Sequence, residues 1–316
     1  PMKWKNRLCG LALALSVVLA SSVSLYGQSS FYQGKTITVI VSSDAGGTVD
    51  MRVKAIAPVL RKYIPGNPTI VTEYMPGGGG RKAANHLYRS VRPDGLTIGS
   101  MSTTLVAAAV LGESGVLYNI DRFTYLGAPD GSTHHVFITR KELGLSTLDK
   151  LRVAPGLRIG AQSIGHQIYI AGRVFAFLIG LKEPKFVVGY TGPEIDLALN
   201  RGEVDARAHL AGTVMQRTPE LLEKGLADFH AILETPKGNR HPRFAHLPEL
   251  ESFAKSDRER RLLGLQRALR LTGSTWILPP GTAKEPAEIL QDAIRKAFKD
   301  PVFLEAYRKG TGEDAT

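Results

Sequence analysis

A short β-branched run, Lys35–Val41 ("KTITVIV"), ends in a small glycine-bearing loop, "VSSDAGGTVD", and the loop runs into a helical pattern. Val53, Ile56, Leu60 and Tyr63 recur there at steps of three and four, one face of a helix that ends at "PGNP". The alternation continues with "TIVTEYM" as a strand, "PGGGG" as a loop, "RKAANHLYRSV" as a helix and "LTIGSMS" as a third strand. Strands alternating with helices predict a parallel sheet covered on both faces. The construction restarts downstream. "LRIGA" leads to "QSIGHQ" and the nearly all-apolar, hence buried, helix "IYIAGRVFAFLIG"; "KFVVGY" leads to "TGPE" and a helix with Pro193 in its first turn. Two such units predict two α/β lobes facing across a cleft, with ligand beyond the carboxyl ends of the strands.

The loops matter physically because a helix start carries unpaired N–H groups and the positive end of the helix dipole. Glycine there lets an anionic or polar group approach the backbone. Asp50 is read as a brace for its helix start, and Asp44 as a carboxylate that points away or accepts a donor from the ligand.

The N-terminal residues "MKWKNRLCGLALALSVVLASSVSLYGQ" place Lys3, Lys5 and Arg7 ahead of an apolar run from Leu8 to Ala20, the pattern of a cleavable export signal over residues 1–27. The run is shorter than the ~20 residues needed to cross a bilayer. Cys9, the single cysteine, lies inside it, so the mature chain is expected to have no disulfide and no thiol ligand or nucleophile. Cleavage would leave roughly 290 residues, enough for two domains, and take the formal charge from +11 to +8. The basic residues alternate with acids, as in "KSDRERRLLGLQRALR", which reads as a solvated helix face. Aromatic residues are only 7% of the chain, and none interleaves with the basic cluster as stacking on bases requires, so nucleic acid is not an expected partner.

"FYQGKTITVIVSSDAGGTVD", "IPGNPTIVTEYMPGGGG", "RPDGLTIG", "GYTGPEIDLALNRGEVDA", "HPRFAHLPEL" and "ILPPGTAKEP" resemble, in order, the motifs of the solute-binding receptors of tripartite tricarboxylate transporters, the Bug-type periplasmic proteins. The resemblance implies a two-lobed clamp of the type II periplasmic-binding-protein class, closing on a small organic acid. It implies no cofactor or metal, a monomer, and docking to a small and a large integral-membrane subunit. Carried over, the ligand loops are Ser42, Ser43, Asp44, Ala45, Gly46, Gly47 and Thr48 in one lobe and Gln162, Ser163, Gly165, His166 and Gln167 in the other. Gly78 and Gly79, Thr103 past the third strand, and Tyr190, Thr191 and Gly192 form neighbouring walls. Asp44 stands where the family has a small residue or proline, Ser163 where it often has glycine, and His166 where it often has serine. The lobes are expected at 28–133 with 234–316, and at 134–233, with crossings near Gly131–Val136 and Phe229–Thr235.

Three further readings rest on single motifs. "AQSIG" fits a loose nucleophile elbow, making Ser163 the nucleophile of a hydrolase with Asp196 or Asp205 and His209, His230 or His241 behind it. His134 and His135 are adjacent, so on a strand only one of them can meet a given ion or reach the cleft; His134 is counted as the candidate. In "GEVDARAHLAGT", Asp205, Arg207 and His209 share one face of a strand. If that face meets the cleft, Arg207 and His209 reach the ligand, the arginine as a two-toothed fork for a carboxylate; if it meets solvent, they carry no function.

Overall fold

The computed structural model describes residues 31–316. The expected export signal and Cys9 lie outside the described residues. Two five-stranded sheets form two lobes. In the first, β1 (Thr36–Val41), β2 (Thr69–Tyr74) and β3 (Thr97–Ser100) pair in parallel, joined by α1 (Thr48–Tyr63) and α2 (Arg81–Arg89). After α3 (Thr104–Val110), β4 (Thr124–Gly127) closes the sheet. The second lobe repeats the plan with β6 (Arg158–Gly160), β7 (Lys185–Val187) and β8 (Ala206–Leu210), preceded by β5 (His135–Arg140) and ended by β9 (Ala227–Leu233). Its helices include α4 (Leu148–Val153), α5 (Gln167–Ile179), α6 (Gly192–Arg201), α7 (Ala211–Arg217) and α8 (Pro219–Glu223).

The strand orders correspond position by position, β2-β1-β3-β10-β4 against β7-β6-β8-β5-β9, where β10 is Trp276–Leu278. In each sheet the fourth position is antiparallel, and its strand, β5 or β10, follows a crossing from the other lobe. The alternation of strands and helices thus predicts each parallel half correctly, and the crossing supplies the strand that alternation does not announce.

Each sheet is sandwiched. Val39 and Val41 of β1 face Val53, Ile56 and Leu60 of α1, α10 (Lys284–Ala297) and α11 (Pro301–Thr311), while Ile40 faces Ala83, Leu87 and Met101 on the other side. In the second lobe Phe137 stacks on Phe175 of α5, and Val136 and Ile138 face Ala198 and Val214. The nearly all-apolar α5 is not uniformly buried: Phe177 stands 60% exposed.

The first crossing runs between Gly127, the end of β4, and His135, the start of β5. The return lies further along the chain than Phe229–Thr235. After β9, Ile232 bridges Glu249, and Leu250 and Leu263 join the core around Phe175, so α9 (Asp257–Leu271) packs on the second lobe. The chain re-enters the first sheet only at β10, beyond Thr272–Thr275. Residues 234–271, expected in the first lobe, therefore pack on the second, because Phe244, Leu250 and Leu263 are buried in its cores.

Gly273 sits at that second crossing with φ +67°, and a Cβ there would lie 2.8 Å from Ala128 Cβ and 2.9 Å from the Asp130 carbonyl oxygen. The close approach of the two crossings requires its bare backbone. Gly281 also has a positive φ, +82°, with its nearest neighbour 4.0 Å away at Pro93. Gly273→Ala is expected to cost about 2–4 kcal/mol in urea unfolding and Gly281→Ala about 1 kcal/mol. Equal losses would show that the crossing contact contributes nothing.

Candidate ligand-binding site

The carboxyl ends of both sheets face one cavity of about 410 Å³. On the first lobe the β1–α1 loop forms its wall. Gly46 takes φ +78° with open space around it, whereas Gly47, at φ −71°, is confined: a Cβ there would lie 3.0 Å from both Asp44 O and Ser43 Oγ. Asp50 is fully buried and braces the loop, accepting from Gly46 N at 2.7 Å, Lys54 Nζ at 2.7 Å and Tyr74 Oη at 2.8 Å. Burial pushes this carboxyl up, but those three donors outweigh it and hold the group below its ordinary range. The helix itself has no side-chain cap, which leaves its first-turn N–H groups for a ligand.

On the second lobe, His166 Nδ1 accepts from Ile168 N at 3.1 Å and caps α5. Its neutral form therefore carries the proton on Nε2. The lobes touch along the rim: Arg81 Nη1 donates to Ile164 O and Gln167 N to Thr104 Oγ1, both at 3.3 Å. Gly79, at φ +67°, leaves only 2.9 Å between its Cβ position and Ser163 Oγ. The two lobes are therefore in contact across the cleft.

Four buried or half-buried arginines ring the cavity in two groups. Asp130 is paired with Arg52 at 2.8 Å and Arg270 at 3.0 Å; Arg270 also donates to Thr103 at 3.1 Å and to Thr133, and Arg52 to Ser274. Asp196 is paired with Arg207 and, at 2.6 Å, with Arg217, and lies 3.1 Å from His209 Nε2. Burial opposes ionisation of Asp196, but Arg207, His209 and Arg217 hold its carboxyl well below the usual range. Each carboxylate is thus shared by two guanidinium groups, so the bonded partners leave positive charge facing the cavity. Several lining side-chain atoms are buried without a partner: Arg52 Nε and Nη2, Arg217 Nη1, Ser163 Oγ, and both polar atoms of His135 and Gln167. Buried polar groups are rarely left unbonded except where something else binds them.

Most of the residues named from sequence line this cavity: Ser42, Ser43, Asp44, Gly47, Thr48, Gly78, Gly79, Thr103, Gln162, Ser163, His166, Gln167, Tyr190, Thr191, Gly192, Arg207 and His209. Ala45, Gly46, His134 and Gly165 do not. Of the adjacent histidines it is His135 that faces the cavity, while His134 Nδ1 accepts from Thr235 N at 2.8 Å and its ring meets His241 edge-on. The face of β8 that carries Arg207 and His209 meets the cleft, but Arg207 is committed to Asp196 and to the Gly192 carbonyl oxygen, so it is not a free fork. Asp205 is held instead by Arg158 and Arg140.

Sequence reasoning missed Arg52, Arg217 and Arg270, together with Ser102 and Ser274. Arg52 lies one turn into α1, inside the span that the glycine loop already marked. Arg270 closes the helix taken for a solvated face; Arg258, Arg260 and Arg261 are exposed there, but Gln266, Arg267 and Arg270 are buried.

The hydrolase reading does not assemble. Ser163 Oγ has no hydrogen-bond partner, His209 sits by Asp196, His230 is bonded to Thr139 at 2.8 Å, and His241 packs on His134. Without a base to take its proton, a serine hydroxyl is a poor nucleophile. No cluster of three or more metal-ligating side chains occurs among the described residues.

The cavity histidines are held neutral. Burial, reinforced by the nearby arginines, drives His135 well below its ordinary value, His166 to about 3 and His209 to about 4; burial brings His134 and His230 to about 4 as well. A group depressed in the folded state takes up its proton only on unfolding, so it stabilises the fold above pH 6.5 and that contribution is lost as pH falls through about 4. Each histidine contributes up to about 1.4 kcal/mol per pH unit within the window. Glu313 opposes them: burial raises it to about 7 despite Arg52 and Arg270, so its contribution is present at low pH and lost as pH rises through 7. With five histidines against one glutamate, the urea midpoint is expected to fall steadily from pH 7 to pH 5. A flat profile would mean that these rings titrate freely in the folded state.

No family model matches the sequence, and no curated protein does. Solved structures match in fold. The periplasmic binding protein BugD has a TM-score of 0.71 at 19% identity over 90% of this chain and 89% of its own. MatC from Rhodopseudomonas palustris, solved with bound malate, has 0.68 at 20% identity over 88% and 89%; Rpa4515 from R. palustris, solved with adipate, has 0.68 at 20% over 89% of each. At these identities the likeness is one of fold, and the chain has the two-lobed α/β fold of periplasmic binding proteins.

Proposed function

We propose that this chain is a periplasmic solute receptor of the Bug type, capturing a small organic acid and delivering it to the membrane subunits of a tripartite tricarboxylate-type transporter. The observation that carries the reading is the closed cavity in which four arginines share two carboxylates while the starts of α1 and α5 converge from opposite lobes. A carboxylate entering there accepts from backbone N–H groups at the start of α1 and meets guanidinium groups that share their carboxylate partners two to one. The ordered sequence motifs and the shared fold support the same reading, and the malate and adipate found in two proteins of this fold are acids of a size such a cavity holds. Binding closes the lobes, and the closed form is what the small and large membrane subunits engage. Export to the periplasm follows from the pattern of residues 1–27.

The sites place demands on a ligand, not on a reaction, and the receptor has no catalytic step. The mature protein is expected to give no labelling at Ser163 with a fluorophosphonate; stoichiometric labelling abolished by Ser163→Ala would favour the hydrolase.

Binding is tested by thermal shift over mono-, di- and tricarboxylates and aromatic acids. A cognate acid at 100 times its Kd should stabilise the protein by about 2.7 kcal/mol. Gly47→Val fills the space between Asp44 and the helix start, so it should weaken that acid at least a hundredfold while the ligand-free melt moves little, the loop being at the surface end of a strand. Normal binding by Gly47→Val, or no stabilisation by any acid, would contradict the receptor reading.

A further inference from the structure

The partnerless groups of the cavity differ in kind. Arg52 and Arg217 offer only donors, which one or two carboxylates satisfy. Gln167 and His135 do not fit that description. Gln167 is 3% exposed and His135 0% exposed, and neither side chain makes any hydrogen bond to the protein through either of its polar atoms. Gln167 presents donors on its amide nitrogen and an acceptor oxygen, and a neutral imidazole presents one donor and one acceptor. His135 stays neutral because it is buried beside Arg270, His134, His209 and His166. Ser163 Oγ, also partnerless, adds a third group of the same dual character from the same lobe. A carboxylate can use the donor half of each, but it has no proton for the acceptor half. An acceptor buried without a donor costs about 1–3 kcal/mol.

We infer that the solute carries, besides its carboxylate, at least one hydroxyl group, and that Gln167 and His135 read it. This rests on the receptor reading of the cavity and narrows the class of acid it takes. A hydroxyl donates and accepts at one atom, matching what an amide or a neutral imidazole presents. An ammonium also donates, but it would enter a cavity already ringed by Arg52, Arg207, Arg217 and Arg270, and Gln167, His135 and Ser163 offer it no negative charge. The carboxylate that would suit an ammonium is Asp44, on the opposite loop.

The test compares acids of one carbon skeleton by calorimetric titration of the full mature protein: succinate, malate and aspartate at four carbons, adipate and galactarate at six. The hydroxylated member of at least one pair should bind tenfold or more tightly than its deoxy partner. Gln167→Leu and His135→Phe should bring the hydroxy acid down to the level of its deoxy partner, closing the ratio between the two members of the pair. The wild-type ratio needs no variant, so a variant that fails to fold leaves the inference falsifiable. Deoxy acids that bind as well as their hydroxylated partners overturn the inference and leave the receptor reading standing. Tighter binding of aspartate than malate, lost in Asp44→Asn, overturns it in favour of an ammonium. No binding by any of these acids, nor by any in the wider thermal-shift panel, sinks the receptor reading and the inference with it.

Discussion

The carboxylate of Asp130 holds together the parts on which everything else depends. It is buried between the two crossings, accepts from Ser274 N at 2.6 Å on the returning crossing, and is paired with Arg52 from α1 of the first lobe and Arg270 from α9 packed on the second. One side chain thus fixes the crossings to each other, the lobes to the crossings, and two guanidinium groups to the back of the cavity. Such an arrangement has a cost. Removing one member of a buried charge group leaves the others unpaired, typically a loss of about 3–5 kcal/mol, so the charge that serves the cavity is also charge the fold cannot easily give up.

Asp196 does the same on the second lobe, collecting Arg207 and Arg217 from a strand and a helix. The two networks have one physical consequence in common: the arginines are held in place before any ligand arrives, and the single aspartate bonded to each pair does not cancel its charge. The C-terminal tail adds a clasp. Glu313 accepts from Gly212 N of the second lobe at 3.2 Å, where a Cβ on Gly212 would collide with it, and Thr316 Oγ1 accepts from Gly131 N at 2.7 Å on the first crossing. The tail therefore lies across the hinge, with its carboxyl close to Arg52 and Arg270.

Much of this was legible in the sequence where periodicity and glycine speak. β1 and α1 follow from a β-branched run and a 3.6-residue apolar face, and the loop between them is marked by Gly46 and Gly47, one needed for its φ and the other for space. The crossings were not legible in the same way. β10 is three residues, too short for a pattern, and its antiparallel place follows from the path of the chain rather than from its own composition. The helix α9 hides its anchor, Leu263, and its buried Arg267 and Arg270 among exposed arginines, so charge density suggested solvent. Arg52 was invisible for a related reason: an arginine within a helix reads as surface unless its partner is known, and Asp130 lies far along the chain. Alternation says only that His134 and His135 face opposite ways, so it gave no ground for counting His134; it is His135 that lines the cavity, while His134 is bonded to Thr235 N.

The central claim is that the cavity selects its solute by negative charge, through arginines whose carboxylate partners are shared. The most direct measurement is calorimetric titration of an acid found to bind against its isosteric amide, in which each carboxylate becomes a neutral carboxamide of nearly the same shape. The account predicts that the amide binds at least a hundredfold more weakly, about 2.7 kcal/mol, because neutral oxygen forgoes charge-assisted hydrogen bonds and leaves the guanidinium groups unmatched. Equal affinity for acid and amide would show that shape and backbone contacts suffice, and would contradict it.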